Sequence, residues 1–148
     1  MLTAPVSVKK LDPRAKLPNY GSADAAGADL YALTDGPVTI APGATVFVHT
    51  GVAMAIPRGY VGLVYARSGL ASKQGLAPAN KVGVIDADYR GELMVAIHNH
   101  SGETRTVENG DRIAQLVIAP YLTAQFAEID ELDDTQRGAG GFGSTGTK

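Results

Sequence analysis

The chain has 148 residues, 13 Lys+Arg against 15 Asp+Glu, a formal net charge of −2 and no cysteine. That length suits one domain able to bury a core. The charge gives no basic footprint for nucleic acid, and the lack of thiols excludes disulfide scaffolds, cysteine nucleophiles and thiolate zinc sites.

No apolar stretch is long enough to span a membrane, and the opening MLTAPVSVKKLDPRAKLP has no secretory h-region, so a soluble, cytoplasmic protein is expected. Glycine and proline cut the rest into short apolar pieces. VSVKKL, ADLYAL, VTIAPG, ATVFVHTGVAMAIP, YVGLVYAR, NKVGVID, ELMVAIHNH, DRIAQLVIAPY and AQFAEI read as strands, rich in Val, Ile, Tyr and Phe. Many short strands at close spacing predict an all-β sandwich or barrel. Alternation is imperfect over residues 45–56, which predicts cover on both faces there.

Along the chain, Asp29 stands inside the apolar pattern of ADLYAL. A lone acid there needs an arginine, backbone amides or a hydrated cation as partner. SGLASKQG is the one helical stretch, with Ser68 as N-cap, Gly75 as stop and Leu70 turned inward. Arg67 before its N-terminus makes an anion site, although an ordinary capped helix with a surface arginine explains this stretch alone more simply. In NKVGVIDADYRGELMVAI, two apolar runs flank DADYRG and predict a β-hairpin with a long loop. Asp86 falls where the strand meets the turn, the place for a rigid, partly desolvated general base; Asp86 and Asp88 can equally be turn formers.

His98 and His100 share a face but lack a third ligand, and His49 stands alone, so zinc is not expected. NGDRIAQLVIAP places Asp111, Ile113 and Gln115 on one side of a strand, where Gln115 can serve a phosphate or face solvent. EIDELDDTQ is an acidic linker, dividing the chain into a body (1–127), a linker (128–136) and a C-terminal arm (137–148). The arm, RGAGGFGSTG, reads first as a frayed terminus. A pure spacer, however, needs neither Arg137 nor Phe142. Arg137 suits an anion, Phe142 a flat ring, and Gly143, Ser144 and Thr145 offer amides and hydroxyls.

AGADLYA, RSGLASKQG, GVIDADYRGEL, GDRIAQLVI and RGAGGFGSTG occur in that order over residues 26–146. Together they resemble the five motifs of the homotrimeric dUTP diphosphatases, or dUTPases. Any one is weak; five in order are specific. The resemblance implies a jelly-roll-like, distorted β-barrel with one short helix and a flexible Gly-rich arm, forming a homotrimer with sites at subunit interfaces. It implies hydrolysis of dUTP to dUMP and pyrophosphate by Mg²⁺-assisted in-line water attack on the α-phosphorus. That activity limits uracil in DNA and supplies dUMP for thymidylate synthesis.

By the same resemblance, Asp86 activates water. Asn80, Gly83, Val84, Ile85 and Met94 form the pocket for uracil and deoxyribose, and Tyr89 lies under the sugar. Arg67, Ser68, Gly69 and Gln115 bind phosphates, and Asp29 holds Mg²⁺ through water. Arg137, Phe142, Gly143 and Ser144 close over the substrate. Ala28 departs from the pattern, since relatives often carry a larger side chain beside the acid. A dCTP deaminase-like activity would need a further acid at the base, and none is evident in GVIDADYRG. A nucleotide binder without turnover would have no need of Asp86.

Overall fold

Twelve elements in the computed structural model, which describes residues 3–144 and 146, include a single helix. In chain order they are β1 (Ser7–Lys10), β2 (Asn19–Tyr20), β3 (Ala28–Tyr31), β4 (Val38–Ile40), β5 (Thr45–Ala55), β6 (Tyr60–Tyr65), α1 (Ser68–Gln74), β7 (Leu76–Pro78), β8 (Gly83–Ile85), β9 (Glu92–Asn99), β10 (Arg105–Val107) and β11 (Arg112–Pro120). They form three antiparallel sheets of order β1-β5-β9-β7, β10-β4 and β2-β3-β11-β6-β8. The sheets do not close on one another. Their inward side chains nevertheless share one core, as in a jelly roll: Leu30, Ile40, Val48, Val64, Leu76, Ile97, Val107 and Ile113 belong to a single buried cluster. Each such aliphatic side chain contributes roughly 1.5–3 kcal/mol by leaving water.

The imperfect alternation over residues 45–56 has the expected cause. Thr50 to Met54 are buried in succession within β5, so both faces are covered. Pairing with β9 jumps from His49↔Met94 to Ala53↔Glu92, marking a bulge. Gly51 sits in it with φ 69°, and a Cβ there would meet Leu33 Cδ2 at 2.5 Å. A side chain there would be strained by both the backbone and its neighbours.

Four sequence expectations need correction. AQFAEI forms no strand: regular structure ends with β11, and Phe126 is exposed. The N-cap of α1 is Arg67, without a side-chain cap bond, and Ser68 is already helical; Gly75 does end the helix in the left-handed region, with φ 68°. Neither is the hairpin closed by β8 and β9. β7 pairs with β9 instead, and Ala79 N–H donates to Ala96 O at 2.8 Å. Residues 80–91 are therefore a long excursion whose middle, β8, joins β6 in the other large sheet. The physical reason is that three residues of β8 gain a ladder on β6, an edge otherwise unpaired. Lastly, Asp86 is exposed in the single chain rather than desolvated, because this excursion runs over the surface.

Candidate active site

Strands β3, β11 and β6 lie side by side, with Asp29, Gln115 and Tyr65 in register across them. This places the first, second and fourth motifs together. The chain leaves β6 through Ala66, whose carbonyl accepts a 2.8 Å bond from Gln115 Nε2. Gln115 thus fixes the turn that carries Arg67, and among the described residues the second N–H of its amide has no partner. Arg67 Nε reaches Asp29 Oδ1 at 2.8 Å, and Arg112 Nη1 reaches Asp29 Oδ2 at 3.4 Å. The acid's required partner is therefore a pair of guanidiniums. Ser68 and Gly69, in the first turn of α1, are exposed beside them, with amides that no i−4 carbonyl can satisfy. A cleft of about 350 Å³ opens here, lined among others by Arg67, Leu70, Thr106, Glu108, Asp111 and Arg112.

The third motif builds a separate surface. Gly83 is buried against Val64, and a Cβ there would lie 3.2 Å from Val64 Cβ and 3.5 Å from Asn80 Nδ2. Asn80 and β8 are thereby packed closely at the start of the excursion. Val84 projects outward at 63 % exposure, while Ile85 is half-buried. Asp86 opens a turn in which its carbonyl accepts from Tyr89 N–H at 3.1 Å. Tyr89 lies over Gly91 and donates its hydroxyl to Glu92 O at 2.9 Å. Met94 stands two residues further along β9, about half exposed.

These two surfaces do not meet in one chain. Ile85 is level with Gly62, five residues before Arg67, or about 16 Å of extended backbone. Asp86 continues away from Arg67. Among the described residues, the arm joins neither surface. Arg137, Phe142, Gly143 and Ser144 sit in local turns such as Ser144 N–H to Gly141 O at 3.0 Å, and Phe142 is fully exposed. Among the described residues, no hydrogen bond ties positions 122–144 to the body. Thr145 lies outside the described residues.

No three His, Cys, Asp or Glu side chains gather into a metal cage among the described residues. His98 and His100 meet edge to face at 4.4 Å, and His98 Nδ1 is bonded to Thr45 Oγ1. The surroundings of Asp29 fit a Mg²⁺ ion held through water. A carboxylate offers about four lone-pair sites, and the two arginines use one on each Asp29 oxygen. Acceptor capacity thus remains for metal-bound water, as suits an ion carried by substrate phosphates.

The family model described as dUTPase matches residues 13–146. The chain belongs to the dUTPase family. A deoxyuridine 5′-triphosphate nucleotidohydrolase of Syntrophotalea carbinolica is 53 % identical over 146 residues, covering 99 % of each chain. Among solved dUTPases, that of Staphylococcus bacteriophage 80alpha with dUPNHPP has a TM-score of 0.89 at 32 % identity, covering 98 % of this chain and 100 % of that one. A variant of the S. aureus phage phi11 dUTPase, described for coordination of a structural Mg(II) ion, has a TM-score of 0.77 at 31 % identity. It covers 86 % of this chain and 97 % of its own. The dUTPase membership accounts for the jelly-roll-like fold and for all five motifs at once.

Sequence reasoning missed Arg112, Glu92 and His49. Arg112 precedes a break in register between Arg112 and Ala114, so simple alternation does not reveal its side. Glu92 is bonded to His49 at 2.9 Å and to Gly51 N–H at 2.8 Å, a contact that depends on the β5 bulge. The signal available was the acid itself, at the head of an apolar strand.

Proposed function

We propose that this chain hydrolyses dUTP to dUMP and pyrophosphate in the cytoplasm, at a site assembled from more than one copy of itself in a homotrimer. The observation that carries this reading is the cluster at Asp29: two guanidiniums on one carboxylate beside an open cleft, a polyanion site on a chain of negative net charge. The separation of Arg67 from Asp86 along β6 supports shared sites, since one copy cannot bring both to the same phosphate.

Asp86 accepts a proton from water, whose oxygen forms a bond to the α-phosphorus as the bond to the pyrophosphate leaving group breaks. Arg67, the Ser68 and Gly69 amides and Gln115 hold the phosphates. Bound Mg²⁺ supplies further charge neutralisation, with Asp29 as acceptor for its waters. Asn80, Gly83, Val84, Ile85 and Met94 surround uracil and deoxyribose. Tyr89 occupies the space a 2′-hydroxyl would need. Arg137, Phe142, Gly143 and Ser144 close over the substrate, the ring stacking on the base.

Incubation with Mg²⁺ and each dNTP separately tests the reading. Pyrophosphate from dUTP alone supports it. Ammonia from dCTP would indicate a deaminase, and binding without either product a non-catalytic module.

A further inference from the structure

We infer that Glu92 is a positioning residue for the nucleoside pocket, holding Tyr89 and Met94 in place by bridging the β5 bulge. The inference rests on the proposed reading of those two residues. It begins with the interrupted ladder. Between His49↔Met94 and Ala53↔Glu92, residues Thr50 to Val52 of β5 stand opposite Leu93 alone. Regular backbone pairing cannot continue across such a mismatch, and side chains take its place.

Glu92 supplies most of the replacement. Its Oε1 accepts from Gly51 N–H at 2.8 Å and its Oε2 pairs with His49 Nδ1 at 2.9 Å. Thr50 Oγ1 donates to Leu93 O from the buried side. The Glu92 side chain is only 23 % exposed. Partial burial pushes its carboxyl up, but the bonds from His49 and Gly51 outweigh this and hold it below the usual carboxylate range. One ionised carboxylate thus clasps two positions of β5 to the first residue of β9.

Both pocket residues hang from that point. The Tyr89 hydroxyl donates to the carbonyl of Glu92 itself, at 2.9 Å. Met94 is the partner of His49, the residue that Glu92 grips. If the clasp is released, the start of β9 loses its anchor, and the Tyr89 ring and Met94 lose their reference together. The ring is assigned the space of a 2′-hydroxyl, so small displacements should appear first as lost sugar discrimination.

The test compares wild type, Glu92→Gln, Glu92→Ala, Tyr89→Phe and the double variant Glu92→Ala/Tyr89→Phe, using dUTP and UTP. Glu92→Gln keeps the Gly51 bond and the volume, so it remains informative if Glu92→Ala does not fold. The kcat/KM ratio of dUTP over UTP is expected to fall about tenfold in Glu92→Ala, the weight of one charge-assisted bond. A smaller fall is expected in Glu92→Gln, with KM for dUTP rising more than kcat falls. Tyr89→Phe, which removes only the hydroxyl, should add little in the double variant because both act through one contact. An unchanged ratio in folded Glu92→Gln and Glu92→Ala overturns the inference, as does full additivity. A wild type with no preference for dUTP would instead sink the functional reading beneath it.

Discussion

Asp29 reaches across the intervening strand β11 to hold Arg67, Oδ1 to Nε at 2.8 Å. The pair is mostly shielded, with side-chain exposures of 13 % and 28 %. The acid aims the guanidinium, and in the proposed site it also keeps negative charge where metal-bound water would arrive.

Asp29→Asn separates these from mere shape. The amide is nearly isosteric but carries no charge, leaving Arg67 and Arg112 uncompensated. The expected result is a higher Mg²⁺ concentration for half-maximal rate and a kcat/KM lower by about 10²-fold. Thermal unfolding should move down by a few degrees, about 2–4 °C per kcal/mol for a domain of this size. Unchanged kcat/KM and Mg²⁺ dependence would remove Asp29 from both roles.

Asp86→Asn should bind a non-hydrolysable dUTP analogue within a few-fold of wild type while kcat falls by about 10²–10⁴. Because Asp86 is exposed in the single chain, the substitution should leave the melting temperature unaltered. Near-native pyrophosphate release would exclude it as the base.

Ending the chain at Gln136 tests the arm. The body makes no hydrogen bond to positions 122–144 among the described residues, so stability should be preserved. Lost stacking by Phe142 should weaken binding by about 1–3 kcal/mol, and lost charge at Arg137 should lower kcat further. Phe142→Ala should reproduce only part of the defect. Mixing Asp86→Asn subunits with truncated ones should restore some turnover if an arm serves another copy's site. Full activity of the truncated protein would make the tail a frayed terminus after all.

Acid should expose the Glu92 clasp. A carboxyl held below its ordinary range stabilises the fold above the unfolded pKa near 4.5 and loses that contribution as pH falls through the depressed folded value. Wild type should therefore melt above Glu92→Gln at pH 6 by about 2–4 °C. The difference should shrink steadily as pH drops below 4.5. A constant gap across that range would show that ionisation of Glu92 contributes nothing.

Much of this was legible along the chain because it depends on local chemistry. Val, Ile and Tyr runs between glycines declared the strands, and Gly75 the helix stop. Asp29 declared its need for a cation by standing in an apolar run. What could not be read was pairing. The true hairpin partners, Leu76–Pro78 and Ile97–Asn99, flank an excursion whose middle finds a better edge in another sheet, and no nearby residue announces that. Phe126 resembled a strand residue because apolar spacing reports the capacity for burial, not whether a neighbour exists to bury against. Arg112 and Glu92 sit at breaks in register, where period-2 arguments fail by construction.

The run from Tyr121 to Gln136, with no hydrogen bond to the body beyond that from Tyr121 N–H to Gly59 O among the described residues, has the properties of a tether. Fully stretched it spans at most about 55 Å, and its clustered acids favour extension. A tether of this length presents the arm to any site within reach at an effective concentration on the order of millimolar. If the arm closes over substrate as proposed, its own affinity can therefore be very weak, letting it release product readily and still return. Because effective concentration falls only as about the −3/2 power of length, inserting a few residues there should cost the enzyme little, whereas shortening the run below the required span should abolish arm-dependent turnover abruptly.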